Sequence, residues 1–282
     1  MSGRVERGFK YEGLGNDFVV LDRRTSATDV SPSASRAICD RRRGVGADGV
    51  LVLLPSTHAA ARMVVHNADG SLAEMCGNGL RCVVKHLLDR DPSRDALEVE
   101  TGAGVLPARA RRAGGEVVEV EIELGPARLQ APNLPPGPGG GPFVAAAVPG
   151  VDWPGTAVSM GNPHLVLLGA PAEVVREHGP RLEHLPGFPD RTNVEAVSRA
   201  GEGLRVSVWE RGSGLTDACG TGAAASVAAA VVAGWAPPDA FVPVELPGGR
   251  LAVRVSADLQ RTTLRGPARF VFAAELPEAL LD

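Results

Sequence analysis

Arg62–Gly79, RMVVHNADGSLAEMCGNG, and Arg205–Gly222, RVSVWERGSGLTDACGTG, are the two stretches that decide the fold. Laid side by side without a gap, Arg62 faces Arg205, Val65 faces Val208 and Leu72 faces Leu215. Glu74 then faces Asp217, Cys76 faces Cys219, Gly77 faces Gly220 and Gly79 faces Gly222. Upstream, Gly15–Leu21 (GNDFVVL) matches Gly161–Leu167 (GNPHLVL), and downstream each cysteine segment is followed by a valine-containing strand, Leu97–Thr101 and Phe241–Leu246. Chance supplies single matches of this kind. Three in the same order indicate one unit written twice.

Alternating residues in Gly15–Asp22, Arg62–His66 and Arg205–Trp209 predict half-buried strands, and Val117–Leu124 (VVEVEIEL) predicts a strand with one wet face. After each cysteine the period changes, and Leu80–Asp89 and Ala223–Ala233 predict helices free of internal proline. Each half therefore reads strand, glycine loop, Cys-Gly-x-Gly, helix, strand. The expected class is α/β with mixed sheet, as two similar domains around a cleft. Between the halves, Ala131–Pro142 (APNLPPGPGGGP) is expected to hold neither helix nor strand and to form a linker or exposed loop near the domain junction.

Composition narrows the function. The chain has 282 residues, 44% of them hydrophobic and 22% charged, which is globular composition at a length suited to two domains. Net charge is −4 and the densest basic cluster, Arg41-Arg42-Arg43, is short and beside Asp40, so nucleic acid is not expected as a partner. No apolar run reaches the roughly 18 residues of a membrane span, and the first residues, MSGRVER, lack the apolar core of a signal peptide. Four cysteines are too few for a disulfide scaffold, so the expected compartment is the reducing cytoplasm.

The paired cysteines carry the chemistry. A helix start exposes unpaired N–H groups and the positive end of the dipole, which stabilise a thiolate and lower its pKa. Glycines there let the backbone approach a carboxylate closely. Two such elements suit inversion of an amino-acid α-carbon, which needs a base on one face, an acid on the other and dipoles aimed at the carboxylate. Cys39 and Cys82 read as buried structural cysteines. Neither active cysteine belongs to a C-x-x-C pair, which disfavours metal binding and dithiol redox chemistry.

At these residues the chain resembles the diaminopimelate epimerase family over nearly its full length. The matching segments are Gly13–Phe18, Gly44–Gly49, Asn67–Ser71, Met75–Gly79, Ser159–His164, Thr192–Val194 and Glu210–Gly212 leading to Ala218–Gly222. The resemblance implies two pseudo-symmetric domains of mixed sheet, each wrapped around a central helix. One spans 1–125, completed by 267–282; the other spans 126–266 and carries the loop 131–142. It implies an active site in the interdomain cleft, no cofactor, no metal, and interconversion of LL- and meso-diaminopimelate on the route to lysine and cell-wall precursors. By the same resemblance Cys76 and Cys219 are the acid/base thiols, and the backbone at Gly77-Asn78 and Gly220-Thr221 binds the reacting carboxylate. Asn16, Asn67, Asn162, Asn193, Glu210 and Arg211 hold the substrate, while His164 and Glu210 tune the thiols.

Those side chains suit a substrate with two amino-acid ends: Arg211 can grip a remote carboxylate in bidentate fashion and Glu210 a remote ammonium. Plainer roles compete, since Asn67 and Asn193 can shape turns, His164 can be a loop histidine and Arg211 a surface arginine. Two departures from the family stand out. Gly49 stands where many members carry a substrate-contacting glutamine, and Phe272 where some carry a tyrosine at the contact of a homodimer; the aromatic ring still allows that contact but lacks the hydroxyl. Rival readings are a racemase of proline, hydroxyproline or histidine, an isomerase of the phenazine-biosynthesis type, and a binding module or thiol sensor without turnover.

Overall fold

The computed structural model describes residues 5–73 and 75–281; Glu74 of the repeat and Met1–Arg4 of the leader reading lie outside them. The chain divides into two units, Met1–Ile122 with Gly266–Asp282, and Glu123–Arg265. Both are mixed α/β.

In the first unit β1 (Val5–Gly13) and β2 (Asn16–Asp22) form an antiparallel hairpin. Its two turn residues, Leu14 and Gly15, have φ of 59° and 82°, the left-handed geometry that matches strand twist. After α1 (Pro32–Cys39), β3 (Gly49–Leu54) lies parallel to β2 and antiparallel to β4 (Ala61–Asn67). The chain then runs through β5 (Leu72–Ala73), α2 (Gly77–Leu88) and β6 (Ala96–Thr101), which returns parallel to β4, followed by β7 (Gly104–Ala113) and β8 (Glu116–Gly125).

The second unit repeats this order. It comprises β9 (Gly155–Ser159), β10 (Pro163–Leu168), α3 (Glu173–Leu182), β11 (Asn193–Ala200), β12 (Gly203–Glu210), β13 (Gly214–Thr216), α4 (Gly220–Val232), β14 (Val242–Leu246), β15 (Gly249–Val255) and β16 (Thr262–Pro267). The last strand, β17 (Arg269–Pro277), pairs with β1 of the first unit. Registers repeat as well as elements. Val65 pairs with Ala73 and Ala61 with Val99 in one unit, where Val208 pairs with Thr216 and Leu204 with Val244 in the other. The gapless alignment of the two cysteine stretches is thus a structural one.

A buried helix lies at the centre of each unit. Helix α2 packs on β1, β2, β4, β6, β7 and β17, and α4 packs on β9, β10, β11, β12 and β15. The alanines of α4 are fully buried on every side, since a helix apolar all round is stable only when surrounded. Both helices begin three residues before the predicted starts, because the Cys-Gly-x-Gly glycines form the first turn rather than a preceding loop.

Three further expectations are corrected. Phe18–Leu21 is buried on both faces, as β2 is flanked by strands and packed between α1 and α2. In β8 the clean alternation would turn Val118 inward, but the pairing steps from Arg111–Glu119 to Arg112–Val117. Val118 is the bulged residue, 43% exposed, and Val117 takes its place in the core. The Pro/Gly tract 131–142 is a largely exposed loop of the second unit, but it is not wholly irregular. It holds one 3-10 turn at Pro138–Gly140, where Gly139 adopts a φ of 76°, and Leu134 anchors it in the core beside Val148, Leu165 and Phe188. Truncating that anchor by Leu134→Ala should lower stability by about 2–4 kcal/mol in urea denaturation. A tract that acted only as a linker would leave the midpoint unmoved.

Candidate active site

Both cysteines stand at the N-cap of their helix in extended conformation, with φ/ψ of −138°/112° for Cys76 and −120°/112° for Cys219. Each sulfur does what a serine or aspartate oxygen does at a cap. Cys76 Sγ accepts from Gly79 N–H at 3.4 Å and Cys219 Sγ from Gly222 N–H at 3.3 Å. The second glycine of each motif serves packing rather than ligand approach. A Cβ on Gly79 would stand 3.0 Å from Leu51 Cδ2, and one on Gly222 2.8 Å from Glu195 Oε1.

In the first unit the sequence-predicted residues Asn16, Cys76, Gly77 and Asn78 come together. Asn16 donates to Asp48 Oδ2 at 2.8 Å, which turns its carbonyl oxygen toward Cys76 Sγ (3.9 Å) and the amide of Asn78 (3.4 Å). Asp48 is itself braced by Arg41, which also bonds Asp17. Arg41, an exposed member of the short basic cluster, is thereby tied to this network. One turn into α2, the fully buried Arg81 donates to Asn78 Oδ1 at 2.8 Å, Pro267 O at 3.0 Å and Gly77 O at 3.5 Å. These acceptors are neutral, so a positive charge is buried on the helix that Cys76 caps. Asn67 ends β4 opposite Gly49, and its amide spans the turn to Ser71 Oγ at 2.9 Å.

In the second unit Asn162, His164, Cys219, Gly220 and Thr221 gather at the start of α4. Thr221 Oγ1 is 3.5 Å from Cys219 Sγ and accepts from Asn162 Nδ2 at 3.3 Å. His164 Nε2 is 3.1 Å from Asn162 Oδ1, and its Nδ1 is 2.7 Å from Glu195 Oε1. Nearby, Asn193 accepts from the backbone N–H of Arg211 (2.9 Å) and donates to Pro163 O (3.0 Å). Glu210 accepts from Thr216 Oγ1, and Arg211 Nη1 donates to Asp190 O at 2.8 Å. Asn193 and Arg211 thus lie together at one corner of this group.

Helix position alone predicts a lowered thiol pKa, and at Cys219 the structure reverses that expectation. Burial pushes this thiol well above its ordinary value, Glu210 and Glu195 push it further, and Thr221 and the Gly222 N–H only partly oppose them. The cause is desolvation: full burial takes the thiolate out of water, and the partial charges of one helix N-terminus do not make up for that loss. Burial and the two carboxylates thus favour the protonated thiol at Cys219. Cys39 and Cys82 are core residues, and burial raises Cys39 to about 11 and pushes Cys82 higher.

Glu195 was not identified from the sequence. It reads as one more residue of the strand after Thr192-Asn193-Val194, and only comparison of the halves marks it. Leu51 is its counterpart, since β2 and β3 pair Val20 with Leu51 as β10 and β11 pair Val166 with Glu195.

The sequence profile of the family described as diaminopimelate epimerase matches residues 8–130 and 156–271. A diaminopimelate epimerase of Desulfitobacterium hafniense is 42% identical over 282 residues, covering 97% of this chain and 99% of the relative. The chain belongs to the diaminopimelate epimerase family. Another member, from Synechococcus sp. (strain JA-2-3B'a(2-13)), is 44% identical over 94% of this chain and 95% of its own length. Among solved structures, a hydroxyproline epimerase from Agrobacterium vitis with bound trans-4-hydroxy-L-proline superposes with a TM-score of 0.70 at 15% identity, over 98% of this chain and 92% of that one. A Bacillus anthracis protein of the PhzF family does so at 0.71 and 17%, over 97% and 99%. These two share the fold with the diaminopimelate epimerase family.

The state of Cys219 can be tested by following alkylation of each cysteine with iodoacetamide against pH. A raised pKa leaves little thiolate at neutral pH, so the Cys219 rate should rise with a midpoint above the roughly 8.5 of an ordinary thiol. A midpoint below 8 would contradict the balance of burial and charge described above.

Proposed function

We propose that the chain is a cofactor-independent isomerase that interconverts LL- and meso-diaminopimelate by passing the proton of one α-carbon between two thiols, Cys76 and Cys219. The observation that carries this reading is the pair of thiol-capped helices in a chain of the diaminopimelate epimerase family. Acting from opposite faces of the carbon, Cys76 removes the proton while Cys219, held as a thiol, delivers one; the reverse direction exchanges the roles. The N–H groups at Gly77-Asn78 and Gly220-Thr221 belong to the first helical turns and receive the carboxylate as negative charge develops on it. Asn16, Asn67, Asn162 and Asn193 orient the substrate, and Arg211 and Glu210 hold its unreacting end.

The same reading places the enzyme in the cytoplasm, where reduced thiols persist. Among the described residues no helix is long and apolar enough to cross a membrane. The reading also makes it a homodimer. Phe270, Val271 and Phe272 are 42–47% exposed in succession on β17, a strand that among the described residues pairs only with β1. Light scattering should then give the mass of two chains, and Phe272→Glu should shift it toward one.

In deuterated water the wild-type enzyme should invert LL-diaminopimelate and place solvent deuterium at the inverted carbon. Cys76→Ser and Cys219→Ser should each lose at least about 100-fold in turnover, because a hydroxyl is a far poorer base at neutral pH. Near-normal turnover in either variant would refute the two-thiol scheme. For Arg211→Ala, kcat/KM on diaminopimelate should fall at least about tenfold, while any weak activity on alanine or proline stays unchanged. Wild-type enzyme that racemised proline as well as diaminopimelate would overturn the substrate assignment.

A further inference from the structure

A continuous line of polar contacts runs from the core of the second unit to the Cys219 sulfur. It begins at Glu195 on β11 and passes through His164 on β10, Asn162 and Thr221, with separations of 2.7, 3.1, 3.3 and 3.5 Å at successive steps. Glu195 and His164 are both fully buried. The second carboxyl oxygen of Glu195, Oε2, has no hydrogen-bond partner among the described residues. A buried carboxyl left half unpaired is costly, and a strand residue at this position has no structural need to be polar. The first unit shows as much: Leu51 occupies the matching place beneath α2, and Phe18 precedes it on β2 where His164 stands on β10.

The direction of the contacts fixes the protons. Asn162 donates its amide to Thr221 Oγ1, so its carbonyl oxygen must accept, and His164 Nε2 carries the hydrogen that it accepts. His164 Nδ1 and Glu195 Oε1 then share one proton between them. Thr221 Oγ1 accepts from Asn162, and its own hydroxyl proton is free to turn to Cys219 Sγ once that sulfur has lost its proton and can only accept. We propose that Glu195 is a positioning residue for the epimerisation: by sharing a proton with His164 Nδ1 it fixes His164 as an Nε2–H donor, and through Asn162 it aims the Thr221 hydroxyl at the sulfur that becomes a thiolate when Cys219 delivers its proton. Burial raises the pKa of Glu195 above the ordinary carboxyl range, with Glu210 adding to the rise and His164 opposing it, in keeping with a proton retained by the pair. The charged and titratable groups facing the thiol are Glu195 on β11 and Glu210 on β12. His164 reaches it through Asn162, and the arginines of β15 are engaged elsewhere, Arg250 with Glu245 and Arg254 with Thr263. β9 is uncharged.

The contrast with the first unit suggests the variants. Glu195→Gln can still donate to Nδ1 through its amide, whereas Glu195→Leu installs the side chain that the first unit uses and cannot donate. Nitrogen-15 spectra of the His164 ring, with folding checked by thermal denaturation, should show Nε2 protonated in wild type and in Glu195→Gln. In Glu195→Leu the proton should be distributed over both nitrogens. The kinetic arm rests on the epimerase reading. The Leu variant should lose at least about tenfold in kcat on diaminopimelate with KM within about twofold, the expected cost of one lost bond to a developing anion, and the Gln variant should recover most of it. The spectroscopic arm needs no substrate, so failure of the epimerase reading leaves it intact. Wild-type His164 protonated at Nδ1 alone, or a folded Leu variant with undiminished kcat, would overturn the proposal. If the Leu variant does not fold, the wild-type ring spectrum still decides.

Discussion

A sulfur sitting where an oxygen normally caps a helix is the constraint on which this structure turns. For Sγ to accept the N–H three residues ahead, the cysteine must be extended while the residues after it are already helical. That forces the helix to begin on glycines, and the second glycine of each motif must be bare because Leu51 or Glu195 is pressed against it. Glycine in a first turn is unfavourable for a helix, and burial of α2 and α4 among their strands offsets it. The two sulfurs are consequently fixed by a hydrogen bond to the helix backbone.

Identical backbones then carry opposite electrostatics. The Cys76 helix itself carries a guanidinium, Arg81, whose hydrogen-bond acceptors among the described residues are neutral oxygens; beside the Cys219 helix lies the carboxyl of Glu195. Two asparagines that correspond in the repeat, Asn16 and Asn162, are turned opposite ways by different anchors. Asp48 pulls the Asn16 amide away and leaves its oxygen near sulfur, whereas His164 takes the oxygen of Asn162 and leaves its amide for Thr221. Duplication supplied the symmetry of the fold, and a few buried substitutions removed it from the chemistry.

The sequence was legible where a property repeats or alternates. Matching cysteine segments fixed the two units, and the change of period after each cysteine located α2 and α4. Features that depend on a neighbour out of sequence were not legible. The bulge at Val118 arises from its pairing with β7, and alternation alone assigned it to the core. Leu134 sits among prolines and glycines, yet its side chain reaches a core formed by distant strands. The raised pKa of Cys219 follows from burial and from two carboxylates that tertiary structure brings close. Glu195 was invisible because a lone acidic residue in a strand usually faces water.

Gly49 shows how such packing limits what a position can carry. Many members of the family have a glutamine here, but in this chain a Cβ would lie 2.6 Å from the carbonyl oxygen of His66 on the adjoining strand. Strands β3 and β4 leave no room for a side chain at this point. Gly49→Gln would therefore meet a steric barrier before it made any new contact, and installing that glutamine requires further substitutions that part the strand pair.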